Sequence, residues 1–262
     1  MDPLRPLIET LYADGRPRVW SLVITVFGDS VQHRGGHIST MRLSRLLGRL
    51  GIEPGAIRTA LSRLAADGWV EGRREGRSSV YRLTETGRKA FGPANATIFA
   101  APTTRPTDIW IFDTSPNAKG LQIAGGHLVP APARPTGAGF RMAGTPLPGS
   151  AEAIWQALEP RHRLALQRLA RDLVVLDDGL DDPLDAAAAR TLLVHSWRRI
   201  VLRWPELPAE FTPDHIGPRN FRAEVARAYF RLSGPAEIWL GRTEGDMHAM
   251  PPAAEGFAKR FR

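Results

Sequence analysis

The spacing of apolar residues in the first 91 positions constrains the fold more than any other feature of the sequence. Three successive segments, about residues 18–32, 40–50 and 54–67, carry apolar side chains three and four positions apart, the repeat of an amphipathic helix. Glycines follow each segment, and Ser39 or Thr40 is placed to cap the second one. The pattern therefore predicts three consecutive helices.

A β-hairpin is predicted directly after the third helix. Short apolar stretches at residues 69–70 and 80–83 flank a tip rich in Gly and Arg, which is typical of two strands joined by a turn. Thr84 is then expected to cap a short helix over residues 85–91. Three helices followed by a basic hairpin is the order of elements in a winged helix-turn-helix domain.

The polar residues of the predicted third helix suit DNA recognition. A helix fits the major groove, where Arg can donate two hydrogen bonds to a guanine edge and Ser or Thr can serve bases or phosphates. The residues expected to face DNA bases are Arg58, Thr59, Ser62 and Arg63. Any surface helix also has a polar face, so a merely solvated helix stays open as the alternative.

A second set of residues is expected to contact the DNA backbone. Arginines in the hairpin suit phosphates or the adjacent minor groove, and serines there can donate hydrogen bonds to phosphate oxygens. This set consists of Arg73, Arg74, Arg77, Ser78 and Ser79 in the hairpin, with Arg42, Arg45 and Arg49 on the second helix. Residues 1–91 carry 15 Lys and Arg against 9 Asp and Glu, a net of +6 out of the +8 of the chain. This basic excess favours DNA, although a charge that only confers solubility remains possible.

Composition excludes several classes of site. The chain has no cysteine, which excludes disulfide frameworks, cysteine-ligated zinc fingers and thiol nucleophiles. The first nine residues lack the basic and apolar regions of a signal peptide, and the longest apolar stretch near them, residues 19–27, is too short to cross a bilayer. We expect a soluble cytoplasmic protein without a membrane partner or a cofactor.

The 262 residues predict an α+β chain of three parts. Residues 1–91 form the DNA-binding domain, and residues 92–150 a linker with a small α+β unit, since they are rich in Pro and Gly and hold short apolar runs. Residues 151–262 form a helical domain, with helices expected over 151–158, 161–174, 183–203 and 219–233. The second of these is a candidate dimer helix, because its leucines exceed what one apolar face needs; they are Leu164, Leu166, Leu169 and Leu173.

The sequence resembles the PaaX-type repressors of phenylacetic acid degradation. In the N-terminal part the resemblance rests on residues 27–31 (FGDSV), 34–36 (RGG), 50–52 (LGI), 57–64 (IRTALSRL), 67–69 (DGW) and 77–84 (RSSVYRLT), with Gly87. In the C-terminal part it rests on residues 193–199 (LVHSWRR) and 207–213 (LPAEFTP). Residues 100–150 depart from the family pattern, so its small ferredoxin-like middle unit, similar to Cas2 proteins, is expected to be reduced here.

This resemblance implies a binding protein rather than an enzyme. It implies a homodimer on an inverted-repeat operator of double-stranded DNA, repressing a catabolic operon, and a two-fold operator independently favours a two-fold protein. The implied effector is phenylacetyl-coenzyme A, with other acyl-coenzyme A thioesters or aromatic acids as alternatives.

Three other groups of residues have competing interpretations. His195, Arg198 and Arg199 are candidates for binding the effector, but a buried core histidine beside surface arginines is the favoured interpretation. The acidic run of residues 177–185 is more simply explained by a helix cap at Asp181 or Asp182 than by a bound metal.

Asp108 and Asp113 flank a predicted strand. They give the alternative of a metal-dependent nuclease of the Cas2 type, although acids are common at strand ends. A winged-helix module that docks another protein is a further alternative, and the basic hairpin disfavours it.

Overall fold

The computed structural model describes residues 2–75, 78–103, 107–116, 118, 120–131, 133 and 137–262, except for the side chain of Ser78. The chain combines helices with two small antiparallel sheets, which confirms the predicted α+β class.

The N-terminal part contains the three predicted helices and the predicted hairpin. Its elements are α1 (Arg5–Tyr12), α2 (Val19–Val26), β1 (His37–Ser39), α3 (Thr40–Gly48), α4 (Pro54–Ala66), β2 (Val70–Glu75), β3 (Ser78–Leu83) and α5 (Glu85–Ile98). A π-helical turn, Phe27–Val31, continues α2. The side chain of Ser39 accepts a hydrogen bond of 3.2 Å from the backbone N–H of Arg42 and so caps α3, as predicted.

A three-stranded antiparallel sheet completes this part, in the order β1-β3-β2. The first strand, β1, was not predicted, because three residues are too few to show an alternating pattern. The apolar faces of α2, α3 and α4 meet in a core that includes Leu22, Leu43, Leu46, Ile57 and Leu61, all fully buried.

The predicted end of α5 at Phe91 is wrong. Thr84 does cap this helix, accepting a hydrogen bond of 3.0 Å from the N–H of Gly87, but the helix continues to Ile98 through Pro93. A proline inside a helix costs about 3 kcal/mol. Beyond Pro93, Ile98 and the following Phe99 are both buried, and burying two large apolar side chains offsets a cost of that size.

The middle part is a four-stranded antiparallel sheet. Its strands are β4 (Trp110–Asp113), β5 (Leu121–Ile123), β6 (Gly126–Pro130) and β7 (Arg141–Gly144), in the order β5-β6-β4-β7. The first strand of this unit, β4, therefore lies between the third and the fourth, β6 and β7. A split β-α-β unit has the same strand order, but a helix lies in each of its two crossover connections. The two crossovers here span only residues 114–120 and 131–140, whereas a helical crossover takes about a dozen residues or more. The described strands thus share the strand order of such a unit but have shorter connections, and the ferredoxin-like unit itself stays a prediction.

The C-terminal part is helical, as predicted. Its helices are α6 (Ser150–Ala157), α7 (Pro160–Val175), α8 (Pro183–Val201), α9 (Phe221–Leu240) and α10 (Glu255–Ala258). The helix α8 is buried on almost every side and packs against α9 and also against α2, α3 and α5. The predicted end of α9 at residue 233 is wrong, because the helix passes through Gly234 and Pro235 to bury Trp239 and Leu240.

The leucines of α7 do not form a spare apolar surface. Leu166, Leu169 and Leu173 are buried inside the chain, where α7 packs against α1, α8 and α9. Only Leu164 is substantially exposed, at 41%. The excess of leucines that suggested a dimer helix is thus largely explained by contacts within one chain.

A buried ionic cluster joins the N-terminal part to the C-terminal helices. The carboxylate of Asp29, in the π-helical turn, lies 3.0 Å from Nε of Arg190 and 2.7 Å from Nη1 of Arg260, and accepts a hydrogen bond of 2.8 Å from Tyr229. Burial raises the pKa of Asp29, but the two arginines outweigh it, so the pKa lies below its usual value and the carboxylate stays charged. Sequence reasoning missed this cluster, whose members are up to 231 residues apart.

Candidate nucleic-acid interface

The helix α4 presents a polar face to solvent. Its apolar residues Ile57, Ala60, Leu61 and Leu64 are buried against the rest of the N-terminal part, which fixes the orientation of the helix. The structure places all four residues expected to read bases on the exposed side, namely Arg58, Thr59, Ser62 and Arg63. Periodicity therefore predicted the exposed side of the helix correctly, and the contact of these residues with DNA bases stays a prediction.

The side chains on this face are weakly engaged within the protein. Nε of Arg63 lies 4.0 Å from the Asp67 carboxylate with both side chains exposed, so water screens the pair. The hydroxyl of Thr59 donates to the carbonyl of Gly55 at 3.0 Å and keeps its capacity to accept. Among the residues described, no carboxylate lies within ion-pair distance of Arg58. Two guanidinium groups on one exposed helix face can thus reach an external acceptor.

The hairpin of β2 and β3 stands beside α4. Arg73 and Arg74 are exposed on β2 and, as neighbouring strand residues, point to opposite faces of the hairpin. The hydroxyl of Thr40 donates to the carbonyl of Ser79 at 2.5 Å, which ties the hairpin to the start of α3. Arg77 and the side chain of Ser78 lie outside the described residues.

Arg42 is not at this surface, which corrects the prediction. It is fully buried, and its guanidinium donates to the carbonyls of Trp239 (2.6 Å), Arg242 (2.5 Å) and His248 (2.9 Å) while lying 4.9 Å from the centre of the Trp239 ring. The segment after α9 covers this side of α3, and no local pattern in the sequence announces that contact.

The other two arginines predicted to contact the DNA backbone from this region, Arg45 on α3 and Arg49 directly after it, differ from each other. Arg49 is engaged by the carboxylates of Asp2 at 2.6 Å and Asp185 at 2.5 Å, so it holds the N-terminus to α8. Arg45 is exposed, and no carboxylate in the described part of the chain comes within ion-pair distance of it. Of the α3 arginines, Arg45 is the one still placed to reach DNA.

Two family models match the chain. The model described as PaaX-like protein matches residues 18–87, from α2 into α5, and the model described as PaaX-like protein C-terminal domain matches residues 155–242, from α6 past α9. The chain belongs to the PaaX-like family. The transcriptional repressor PaaX of Escherichia coli (strain K12) is 27% identical over an alignment 281 positions long, and the alignment covers 92% of this chain and 89% of the repressor. Among solved structures, an uncharacterized protein from Mycobacterium tuberculosis covers 75% of this chain and 87% of its own length, at a TM-score of 0.43 and 17% identity.

In this PaaX-like chain His195 is a buried, neutral core residue. Its Nδ1 lies 3.0 Å from the hydroxyl of Thr25, and burial, reinforced by Arg198 and Arg199, lowers its pKa to about 3. Nε of Arg198 donates to the same hydroxyl at 2.8 Å, and Arg198 also donates to the hydroxyl of Ser21 at 2.6 Å. The expectation of a core histidine fits this arrangement, but Arg198 is partly buried rather than a surface partner, and only Arg199 is exposed.

The carboxylate of Asp113 is held by neighbours. One oxygen accepts hydrogen bonds from the backbone N–H (2.8 Å) and hydroxyl (2.6 Å) of Ser115, and the other lies 3.3 Å from Nε of Arg141. Ser115 and then Arg141 lower its pKa. Asp113 thus links β4 to β7, whereas Asp108 is exposed, and this geometry gives the nuclease alternative no support.

The acidic run before α8 also has a structural role. Asp182 caps α8 by accepting a hydrogen bond of 2.8 Å from the N–H of Asp185, which confirms the predicted cap. No cluster of three or more His, Asp or Glu suited to a metal occurs among the residues described. None of the described helices combines the length and apolar character needed to cross a membrane.

Proposed function

We propose that this chain is a DNA-binding transcriptional repressor, and that residues 1–91 work as a winged helix-turn-helix with α4 as the recognition helix. The observation that carries the proposal is the exposed face of α4, where two arginines and two hydroxyl residues stand beside a basic hairpin. A relative named as a transcriptional repressor, with nearly full coverage of both chains, supports the same function.

The two sets of residues have different roles in this proposal. Arg58, Thr59, Ser62 and Arg63 contact base edges in the major groove and give sequence preference. The hairpin residues Arg73, Arg74, Arg77, Ser78 and Ser79, together with Arg45, contact phosphates and give affinity that depends on salt. Arg42 has no part in DNA binding, because its guanidinium is enclosed.

The repressor works as a homodimer on an inverted repeat, in which two copies of α4 enter successive turns of the major groove on one side of the duplex. It controls an operon for phenylacetate or a related aromatic acid and leaves DNA when phenylacetyl-coenzyme A or a similar thioester binds. Release requires that the effector binds the DNA-free arrangement more tightly than the DNA-bound one.

The proposal is tested by fluorescence anisotropy, which measures binding of the protein to a labelled DNA fragment from the region upstream of the gene that encodes it. We expect tight binding at physiological salt that a scrambled fragment does not match, and reversal by phenylacetyl-coenzyme A. Binding that is weak and indifferent to sequence would refute the repressor assignment. Tight, specific binding that the thioester leaves unchanged would refute only the named effector.

A further inference from the structure

A cavity of about 420 Å³ lies between the C-terminal end of α4 and the helices α2, α5 and α8. Its volume falls within the range of about 300–1,000 Å³ that ligand pockets usually have. The lining is mostly apolar and includes four aromatic residues, Trp20, Trp69, Phe91 and Phe99. Rings around a space of this size suit a compact aromatic or aliphatic group.

One wall of the cavity carries a cation without an acidic partner. Arg198 lines the cavity and donates only to the hydroxyls of Thr25 and Ser21 and to the carbonyl of Ser21, with no carboxylate in the described residues within ion-pair distance. Asp29 also reaches the wall, but its carboxylate is already held by two arginines. Burial and then Arg199 lower the pKa of Arg198 to about 10, so its charge is poorly compensated and an anion or a carbonyl oxygen beside it would be favoured.

We propose that this cavity binds a small aromatic or acyl compound with one anionic or carbonyl acceptor, either a free carboxylic acid or its thioester. The apolar body lies between Trp20, Trp69 and Phe91, and the acceptor lies at Arg198. The inference rests on the proposed function, because it places the effector of that repressor inside the fold.

The position of the cavity explains how such a ligand acts on DNA binding. Arg63, Leu64 and Asp67, in the last turn of α4 and just beyond it, line the cavity together with Val194 and Arg198 of α8 and Leu202 directly after it. A ligand in the cavity touches the recognition helix and the central C-terminal helix at once. Arg63 lines the cavity and also belongs to the face proposed to contact bases. A bound ligand and bound DNA therefore favour different positions of the Arg63 side chain, so each weakens the binding of the other.

A fluorescent probe of matching chemistry tests the site on the full chain. The probe is 8-anilinonaphthalene-1-sulfonate, which combines aromatic rings with one anion. Ala94→Phe fills the cavity and Ala96→Phe, exposed on the same helix outside the lining, is its control. We expect Ala94→Phe to raise the dissociation constant of the probe at least about tenfold and Ala96→Phe to leave it unchanged.

A second pair of variants tests the cation. Arg198→Met should raise the dissociation constant by a similar factor, whereas Arg199→Met, exposed at the next position, should not. Thermal unfolding of each variant shows whether it is folded. If Ala94→Phe is not, Ala90→Phe replaces it, because Ala90 lines the same wall one turn earlier and is more exposed.

Competition with phenylacetate and with phenylacetyl-coenzyme A separates the two ligand sources. Displacement of the probe by the acid or by the thioester supports the site and shows which of the two compounds it binds. Displacement by neither overturns the proposed ligand class. Unchanged probe affinity in folded Ala94→Phe and Arg198→Met overturns the cavity assignment even if specific DNA binding is intact. If the two variants lose probe affinity but the wild type binds no specific DNA, the cavity assignment is supported and only the repressor assignment is refuted.

Discussion

A substitution of Arg42 distinguishes an arginine that stabilises the fold from the exposed arginines that are proposed to bind DNA. In Arg42→Met the carbonyls of Arg242 and His248 lose the guanidinium donor, the carbonyl of Trp239 keeps only the backbone N–H of Arg242 at 3.3 Å, and the Trp239 ring loses the cation beside it. An acceptor left unpaired in the interior costs about 1–3 kcal/mol, the partly buried positions of Arg242 and His248 reduce that cost, and the variant no longer carries the desolvation penalty of the guanidinium. We expect a net destabilisation of about 3 kcal/mol.

Thermal unfolding followed by circular dichroism measures this loss. For a chain of this size about 1 kcal/mol corresponds to 2–4 °C, so the midpoint should fall by about 6–12 °C. The matched control is Arg45→Met, an exposed arginine one turn later on the same helix, whose midpoint should stay within about 2 °C of the wild type while its DNA affinity falls. If Arg42→Met melted like the wild type and bound DNA as weakly as Arg45→Met, the assignment of Arg42 to the interior would be refuted.

Three further expectations follow from the buried charges and the exposed arginines. Asp29→Asn leaves buried Arg260 without a carboxylate partner among the described residues, while Arg190 keeps that of Glu237 at 2.8 Å, and we expect urea denaturation to show a loss of about 3–5 kcal/mol; a loss below 1 kcal/mol would contradict the role of the cluster. Burial lowers the pKa of His162, stacked on Trp204, to about 4, so the unfolded chain takes up its proton first and stability falls as pH drops from about 6.5 towards 4. Relative to His162→Phe, the wild type should lose about 2 kcal/mol between pH 7 and pH 5, and parallel pH profiles would contradict this. Arg73→Ala should lower the slope of log affinity against log salt by about 1, whereas Arg171→Ala, exposed on α7, should not; equal slopes in both would remove Arg73 from the interface.

The parts predicted well are those whose signal is local. The bounds of α4, its buried face and the capping residues Ser39, Thr84 and Asp182 follow from helical spacing and capping chemistry within a few residues. The two strands of the hairpin likewise follow from a Gly- and Arg-rich tip between apolar runs.

The parts that could not be predicted depend on contacts between distant segments. Arg42 is a charged residue three positions before the exposed Arg45 on α3, and only a segment about 200 residues later encloses it. Gly92 and Pro93 are typical of a helix end, yet α5 continues through them and so buries Ile98 and Phe99 against distant parts of the chain. The cavity beside α4 combines residues of four helices, so no spacing in the sequence marks it.

The ratio of specific to non-specific DNA affinity tests the central claim most directly. Anisotropy at physiological salt, with the upstream fragment and a scrambled fragment of equal length, should give the wild type a ratio of at least about a thousand. Arg58→Ala should lower that ratio by a factor of about 10 to 100, because one bidentate base contact discriminates by about 1–3 kcal/mol, while Arg171→Ala should leave it unchanged. A wild-type ratio near one, or a ratio that Arg58→Ala does not change, would contradict the assignment of α4 as a DNA-reading helix.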